Sequence, residues 1–224
     1  MQPIKGITFD LEGTIINLEP LHFGAFVQAV KNQGFVTTFD DIVQNIPLAI
    51  GGGDKAIAEG LLKLYSLDMT VEQLLATKRV HYERLLAETE VLPRDGFLNF
   101  LLSVRARNIS TMIGSLTPRE SGERLLWLSG LDTFFPPSTR VFLEDVEHKK
   151  PAPDVYLRTA SVMGIDPSVQ LVFEDSVPGV MAARAAGSQV YVLPIFTMPE
   201  NLAKLEQAGA TKILDHWNKV PLIL

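Results

Sequence analysis

Hydrophobic and polar positions follow two different patterns along the chain. From Pro20 to about Glu88 the apolar positions recur at helical spacing. This spacing predicts helices over residues 21–32, 55–64 and 71–86. The third helix has a clear start signal, because Thr70 can cap it and Gln73 can complete a capping box. This part of the chain is therefore predicted to be a small all-helical unit.

From Gly96 onward, short apolar runs alternate with helical segments. The runs predicted to be strands cover residues 110–113, 141–143, 170–173, 189–193 and 212–214. Such alternation is typical of strand–helix units that build a parallel sheet. Residues 4–9 also have the pattern of a central strand, so the helical unit is predicted to be an insertion just after it. The predicted fold class is α/β, with a parallel sheet and an inserted all-helical part.

Composition narrows the range of functions. The 224 residues, 46% of them hydrophobic, suit one large domain or a core with a smaller inserted one. The absence of cysteine excludes disulfides and thiolate sites. A net charge of −6, from scattered acidic and basic residues, argues against a nucleic-acid partner. No apolar stretch approaches the length that spans a membrane, and no leader-like segment precedes the first strand. We therefore expect a cytoplasmic protein without a membrane partner.

Carboxylates follow two of the predicted strands at the point where each strand ends. Asp10 and Glu12 follow the first strand, and Gly13 then allows a sharp turn whose N–H groups can cradle an anion. Glu174 and Asp175 follow another strand in the same way. In an open parallel sheet, ligands bind beyond the carboxyl ends of the strands. We therefore expect the four carboxylates to lie close together.

A hydroxyl group is predicted at the same edge of the sheet. Ser115 follows the strand at residues 110–113 and precedes a helix. Thr117 is predicted to cap that helix, with Pro118 in its first position and Glu120 completing a capping box. The pattern thus predicts a hydroxyl and a helix N-terminus next to the carboxylates.

Four neighbouring carboxylates require compensating cations. Lys150 is the best candidate in the protein, because Pro151 and Pro153 stiffen the backbone around it. A divalent metal ion would supply the remaining charge. Oxygen ligands favour Mg²⁺, and the spacing of the four histidines does not suit zinc.

Together these motifs resemble the haloacid dehalogenase-like hydrolases, most closely the β-phosphoglucomutase/phosphatase-like subfamily with a helical cap. Four segments carry the resemblance in order: Phe-Asp-Leu-Glu-Gly-Thr at residues 9–14, Ser115, Lys-Pro-Ala-Pro-Asp at 150–154, and Phe-Glu-Asp-Ser-Val-Pro-Gly-Val at 173–180. The resemblance spans nearly the whole chain. It implies a Rossmann-like core of residues 1–15 and 89–224, and a cap of residues 16–88.

The resemblance also implies an activity and a role for each motif. The implied enzyme is a Mg²⁺-dependent phosphatase that acts on a small phosphorylated metabolite, such as a sugar phosphate. Asp10 would attack phosphorus to form an aspartyl-phosphate, and Glu12 would be the acid/base group. The resemblance also implies that Mg²⁺ binds to Asp10, the Glu12 carbonyl, Glu174 and Asp175. The phosphoryl oxygens would contact Ser115, Leu116 and Lys150.

One motif position departs from the subfamily, in which the acid/base residue is usually Asp. Here it is Glu12, as in the similar Asp-x-Glu-Gly-Thr signature of the enolase-phosphatase branch. The extra methylene changes the reach of the carboxyl group by about one bond, and a misplacement of ~1 Å can cost on the order of a hundredfold in rate. Two alternatives to the phosphatase remain: a mutase that returns the phosphoryl group to a sugar, which Glu12 disfavours, and a non-catalytic binder of phosphorylated ligands, which only Glu12 supports.

In the predicted cap, His22, Lys55 and Lys78 resemble residues that contact the substrate in the subfamily. The alternative for each lysine is an ordinary solvated position on a helix. Taken singly, the core motifs have ordinary alternatives too, since an acid can cap a helix and a lysine can lie on the surface. We expect the protein to be a monomer or a weak homo-oligomer.

Overall fold

The structure, a computed structural model, describes residues 3–221. The chain divides into two compact units, one of Met1–Asn17 with Val91–Leu224 and one of Leu18–Glu90. The larger unit contains a parallel sheet with helices, and the smaller unit contains helices. No helix within residues 3–221 is both long enough and apolar enough to cross a lipid bilayer.

Within residues 3–221, the sheet of the larger unit has six parallel strands. They are β1 (Gly6–Phe9), β2 (Ser110–Gly114), β3 (Arg140–Val141), β4 (Gln170–Glu174), β5 (Gln189–Val192) and β6 (Lys212–Ile213). Their order across the sheet is β3-β2-β1-β4-β5-β6. The central strand β1 is fully buried, as expected for a parallel sheet covered by helices on both faces. The predicted α/β, Rossmann-like class is confirmed.

The register of the sheet determines where the functional residues emerge. Phe9, the last residue of β1, pairs with Ile113 on β2 and with Phe173 on β4. The three neighbouring strands therefore end at nearly the same level. Because the strand order reverses direction at β1, the segments after these strands meet at the edge where α/β proteins bind ligands.

Aromatic packing fixes the central strand from one face. The ring of Phe9 lies 5.2 Å from that of Phe97 and 5.5 Å from that of Phe173. Trp217 packs on Phe173 at 4.9 Å and donates a hydrogen bond to the Thr14 carbonyl at 3.3 Å. The turn after β1 is therefore anchored to the hydrophobic core, which limits its movement.

The smaller unit has four helices: α1 (Glu19–Lys31), α2 (Phe39–Asn45), α3 (Gly53–Tyr65) and α4 (Val71–Glu88). Helix α4 packs against α1 and α3. The predicted capping box of α4 is confirmed, since Thr70 and Gln73 exchange backbone-to-side-chain hydrogen bonds of 2.8 and 3.2 Å. Helix α2 was not predicted, although Thr38 and Asp41 form a second capping box at its start.

In the described part of the larger unit there are five α-helices: α5 (Phe97–Arg105), α6 (Arg119–Leu128), α7 (Asp154–Met163), α8 (Val177–Ala185) and α9 (Pro199–Gln207). The predicted start of α6 is wrong, because Pro118 occupies the N-cap position and the side chain of Thr117 does not cap the helix. Instead, the Arg119 N–H donates to the carboxylate of Glu144 at 2.9 Å. The side chain of Glu144 thus replaces the local cap, and the Thr117 hydroxyl can form a hydrogen bond with another group.

The strand predicted at residues 141–143 is also shifted. The observed strand β3 covers Arg140–Val141, and Leu143–Asp145 forms a 3₁₀ turn. The Phe142 N–H donates to the Asp145 carboxylate at 2.8 Å, which bends the chain out of the sheet. The apolar run predicted a strand because hydrophobicity alone does not reveal this local hydrogen bond.

Candidate active site

Asp10 follows β1 directly and lies almost completely buried, with 6% of its surface exposed. The Nζ atom of Lys150 lies 2.6 Å from Asp10 Oδ1 and 2.5 Å from Glu174 Oε1. Lys150 comes from the segment before α7, and Glu174 ends β4. One ammonium group therefore bridges two carboxylates that leave the same edge of the sheet.

Asp175 lies against the turn after β1. The Thr14 hydroxyl lies 3.4 Å from a carboxylate oxygen of Asp10 and 3.4 Å from one of Asp175. Gly13 has a φ of 82°, and a Cβ at this position would overlap the Asp175 carboxylate. Glycine is thus required both by the backbone conformation and by the close approach of the acid.

Three acids in this cluster could hold a metal ion. Asp10, Glu174 and Asp175 each have a carboxylate oxygen within 4.8 Å of the others. An oxygen-only set of this kind suits a hard divalent cation such as Mg²⁺.

Glu174 is held by hydrogen bonds to both of its carboxylate oxygens. Its Oε1 accepts hydrogen bonds from Lys150 and from the Tyr156 hydroxyl, the latter at 2.6 Å. Its Oε2 accepts from the Asp175 N–H and from both the N–H and hydroxyl of Ser176, at 2.9 to 3.0 Å. Five donors fill the roughly four lone-pair positions of one carboxylate. Glu174 therefore serves as a fixed anion that anchors Lys150.

The electrostatics of the cluster separate the two acids that share Lys150. Burial raises the pKa of Asp10 to about 7; Lys150 opposes this shift, and Glu174 adds to it. Burial alone would raise the pKa of Glu174 too, but Lys150 and the hydrogen bonds lower it. Burial alone would lower the pKa of Lys150, yet Asp10 and Glu174 raise it well above its usual value. Lys150 and Glu174 thus form the charged pair, and a further cation would favour the ionised form of Asp10.

Glu12, the second acid of the turn, joins a chain of hydroxyl groups. The Thr117 hydroxyl donates to Glu12 Oε1 at 2.5 Å and lies 3.0 Å from the Ser115 hydroxyl. Ser115 is buried, its N–H donates to the Val141 carbonyl at 3.0 Å, and Leu116 beside it is half-buried. The structure therefore connects Ser115 to Glu12 through Thr117, a residue that the sequence analysis assigned to a helix cap.

Arg94 supports the same turn and was also missed. Its guanidinium donates to the carbonyls of Gly13 and Leu193, both at 2.6 Å. An arginine that binds backbone carbonyls has no sequence signature, because its partners need no particular side chain. Its function in the structure is to hold the backbone of the loop that carries Asp10 and Glu12.

In the smaller unit, Lys78 lies buried among polar and aromatic groups. Its Nζ lies 2.7 Å from Asp54 Oδ2 and 2.7 Å from His22 Nδ1, and only 4% of the residue is exposed. The rings of Phe26 and Tyr82 lie 5.3 and 5.0 Å from the ammonium nitrogen. The alternative of a solvated lysine is therefore wrong for Lys78.

The two predicted cap lysines differ in their surroundings. Lys78 follows the buried Leu74 by four positions, so it lies in the apolar stripe of α4. The side chain of Lys55 is 76% exposed and faces Glu59 at 3.8 Å along its own helix. A lysine within an apolar stripe is a sequence signal that could have separated the two.

We expect Lys150→Met to lower the free energy of unfolding by about 3–5 kcal/mol, because it leaves Glu174 as a buried charge without its counterion. The matched control is Lys149→Met, because Lys149 is the exposed neighbour of the same type. Chemical denaturation of both variants measures the difference. Equal stability of the two variants would contradict the assignment of Lys150 to the buried ion pair.

Comparisons with known proteins point to one family. The sequence profile of the haloacid dehalogenase-like hydrolases matches residues 4–187. Fructose-1-phosphate phosphatase YqaB of Escherichia coli is 31% identical over 81% of this chain and 92% of its own length. The phosphorylated carbohydrates phosphatase of Thermotoga maritima is 29% identical over 94% of both chains. CbbY from Rhodobacter sphaeroides, solved with xylulose-(1,5)bisphosphate, shares the fold with a TM-score of 0.70 and 23% identity over 96% of both chains.

The family match covers most of the chain and includes all four motifs that carried the resemblance. The predicted family, its phosphatase-like type and the predicted class of enzyme are confirmed. The chain belongs to the haloacid dehalogenase-like hydrolases.

Proposed function

We propose that the protein is a Mg²⁺-dependent phosphatase that hydrolyses a small phosphorylated metabolite through an aspartyl-phosphate at Asp10. The observation that carries this proposal is the position of Asp10, which is buried at the end of β1 and bonded to Lys150. The named phosphatase relatives act on fructose 1-phosphate and on phosphorylated carbohydrates. Sugar phosphates are therefore the first substrate class to test.

The proposed reaction has two steps. In the first, a carboxylate oxygen of Asp10 attacks phosphorus, and the departing alkoxide takes a proton from Glu12. In the second, Glu12 accepts a proton from a water molecule, whose oxygen attacks the phosphorus and releases phosphate and free Asp10. Lys150 and Ser115 hold the phosphoryl oxygens, with Leu116 beside them. The products are an alcohol and inorganic phosphate.

The residues at the site fit a bound Mg²⁺ ion. Asp10 and Asp175 would supply carboxylate ligands, Glu12 its backbone carbonyl, and Glu174 either a ligand or a fixed negative charge beside the ion. When bound, the ion would offset the negative charge of the phosphoryl group and favour the ionised form of Asp10. Burial raises the pKa of Asp10, whereas the reaction needs that carboxylate deprotonated. A bound cation that lowers this pKa would therefore serve the reaction.

The test is a screen of the purified protein against phosphorylated metabolites, with and without Mg²⁺, that measures released phosphate. We expect release from at least one sugar phosphate, and loss of that activity when EDTA removes the metal. Formation of an isomer without phosphate release would identify the mutase instead. Binding without either reaction would identify the non-catalytic alternative.

We further propose that the helical unit, Leu18–Glu90, acts as a cap that supplies the residues distinguishing one substrate from another. Within this unit Lys78, His22 and Asp54 form a preorganised polar group, with the ammonium held by hydrogen bonds of 2.7 Å. Such a group can donate to substrate hydroxyls at little cost in side-chain entropy. The cytoplasmic location and the monomeric or weakly oligomeric state stay predictions.

We expect Lys78→Met to lower kcat/KM for the preferred metabolite by about 10- to 100-fold, the range for losing a hydrogen bond from a charged donor. Activity on an aryl phosphate should fall much less, because such a substrate has no distal hydroxyls. Lys55→Met is the matched control, and its exposed side chain predicts a change within about twofold on either substrate. Equal losses on both substrates would show that Lys78 only stabilises the helical unit.

A further inference from the structure

Thr117 makes a contact that neither its sequence position nor the family motif explains. Its hydroxyl donates to Glu12 Oε1 at 2.5 Å, across 105 positions of the chain. Charge-assisted hydrogen bonds of this length are among the stronger ones in proteins. The contact places a half-buried hydroxyl directly on the acid that follows Asp10 by two residues.

The hydrogen atoms in this group can be assigned from the donors. The Thr117 hydroxyl has one hydrogen, and the ionised Glu12 carboxylate, the form that acts as the base in the second step, can only accept it. The Ser115 hydroxyl, 3.0 Å from Thr117 Oγ1, can donate to that oxygen when it does not donate to a phosphoryl oxygen, while the Thr117 N–H donates to Ser115 Oγ at 3.3 Å. The result is a directed chain from a backbone N–H through two hydroxyls to Glu12.

This chain is available because Thr117 has no function in the helix that follows. Helix α6 begins at Arg119, whose N–H is bonded by Glu144, and Pro118 fills the N-cap position. A threonine that capped α6 would direct its oxygen to a backbone N–H of the first turn instead. The Thr117 hydroxyl is therefore free of that task and is directed to Glu12.

We propose that Thr117 is a positioning residue that holds the Glu12 carboxyl group for both proton transfers. The inference rests on the proposed phosphatase function. A glutamate has one more rotatable bond than an aspartate, so its carboxyl group needs an additional contact to keep one position. Thr117 supplies this contact, and it joins the acid/base group to Ser115 on the neighbouring strand end.

The first test compares the two chemical steps in Thr117→Val, a variant of similar shape without the hydroxyl. The leaving group of an aryl phosphate needs no proton, so phosphoenzyme should form at close to the wild-type rate. The burst phase of a stopped-flow experiment measures this rate. Hydrolysis of the phosphoenzyme needs Glu12, so we expect this step to slow by about 10- to 100-fold. With an alkyl phosphate, formation should slow as well. For the aryl phosphate, kcat and KM should fall together and kcat/KM should change little, because only the step after phosphoenzyme formation is slowed.

Two further variants separate positioning from a structural effect. Thr117→Ser keeps the hydroxyl and should restore most of the hydrolysis rate. In a double-mutant cycle, adding Thr117→Val to Glu12→Gln should cost no further activity, because its effect acts through Glu12. Thr139→Val is the matched control, since Thr139 is a half-buried threonine before β3, at the opposite end of the strands, whose hydroxyl bonds to the Pro136 carbonyl.

The outcomes distinguish this inference from the proposed function. If the wild type forms no phosphoenzyme and releases no phosphate, the proposed function and this inference both fail. If the wild type is active, three results overturn the inference alone. The first is an unchanged rate of phosphoenzyme hydrolysis in Thr117→Val. The second is that Thr117→Val costs the same activity with and without Glu12→Gln. The third is that Thr117→Ser hydrolyses the phosphoenzyme as slowly as Thr117→Val. Equal thermal unfolding of the single variants and the wild type ensures that the rates report on folded protein.

Discussion

Asp10→Asn is expected to abolish phosphate release, with a loss on the order of 10⁶-fold, the scale reported for removing a covalent nucleophile. An amide oxygen is a far weaker nucleophile than a carboxylate, and it cannot form a stable acyl phosphate. The measurement is phosphate release from the substrate identified by the screen, together with mass spectrometry of the phosphoenzyme. Turnover at the wild-type rate would show that the aspartyl-phosphate mechanism is wrong.

Asp10→Asn should keep its fold, so the loss of activity can be separated from any loss of stability. The pKa of Asp10 is raised from 3.8 to about 7 in the folded protein, mainly by burial. A carboxyl group with a raised pKa favours folding in its protonated form, and this contribution is lost as the pH rises through about 7. At about pH 8 in metal-free buffer, Asp10→Asn should therefore unfold at no lower denaturant concentration than the wild type. Asp95→Asn, at a position whose side chain is 88% exposed, is the matched control for both measurements.

The second large effect is expected from Glu12→Gln. General acid–base groups typically contribute about 10²–10⁴-fold to a rate, and glutamine can neither supply nor accept the proton. We expect kcat to fall within that range and phosphoenzyme to accumulate, because water attack on the aspartyl-phosphate needs the base. Quenched-flow labelling of the enzyme measures the accumulation.

Glu12→Asp tests the reach of the acid. The shorter side chain would withdraw from Thr117, whose hydroxyl lies 2.5 Å from Glu12 Oε1 in the structure. Reduced activity in this variant would show that the site depends on the glutamate, whereas equal or higher activity would show that it tolerates either length. An active wild type whose Glu12→Gln variant loses nothing would remove Glu12 from the mechanism.

The sequence could predict the sheet and the order of its motifs because these depend on local signals. All six strands were expected within two residues at either end, and β3 was expected one residue too late. Strong capping pairs such as Thr70 with Gln73 were also readable, since both partners lie within one helical turn. Such features are determined by residues close together in the chain.

Side-chain partners from distant segments could not be predicted in the same way. The sequence offered Thr117 a local partner in the helix that follows, but the folded chain bonds it to Glu12 and gives the helix start to Glu144. The surroundings of Lys78 likewise depend on residues from two other helices, and only its position in an apolar stripe hinted at burial. Arg94 bonds to carbonyl groups, which every residue has, so no residue type pointed to it.

By itself, the sequence determined the α/β class, the inserted helices and the set of polar residues that follow the strands, because hydrophobic period and turn chemistry act over short distances. Only the tertiary structure decided how those residues share their charges and hydrogen bonds. One lysine bridges two acids, Glu174 is saturated with donors, and Asp10 keeps a raised pKa. These properties depend on burial and on distances of about 3 Å between distant segments, and a linear pattern contains neither quantity.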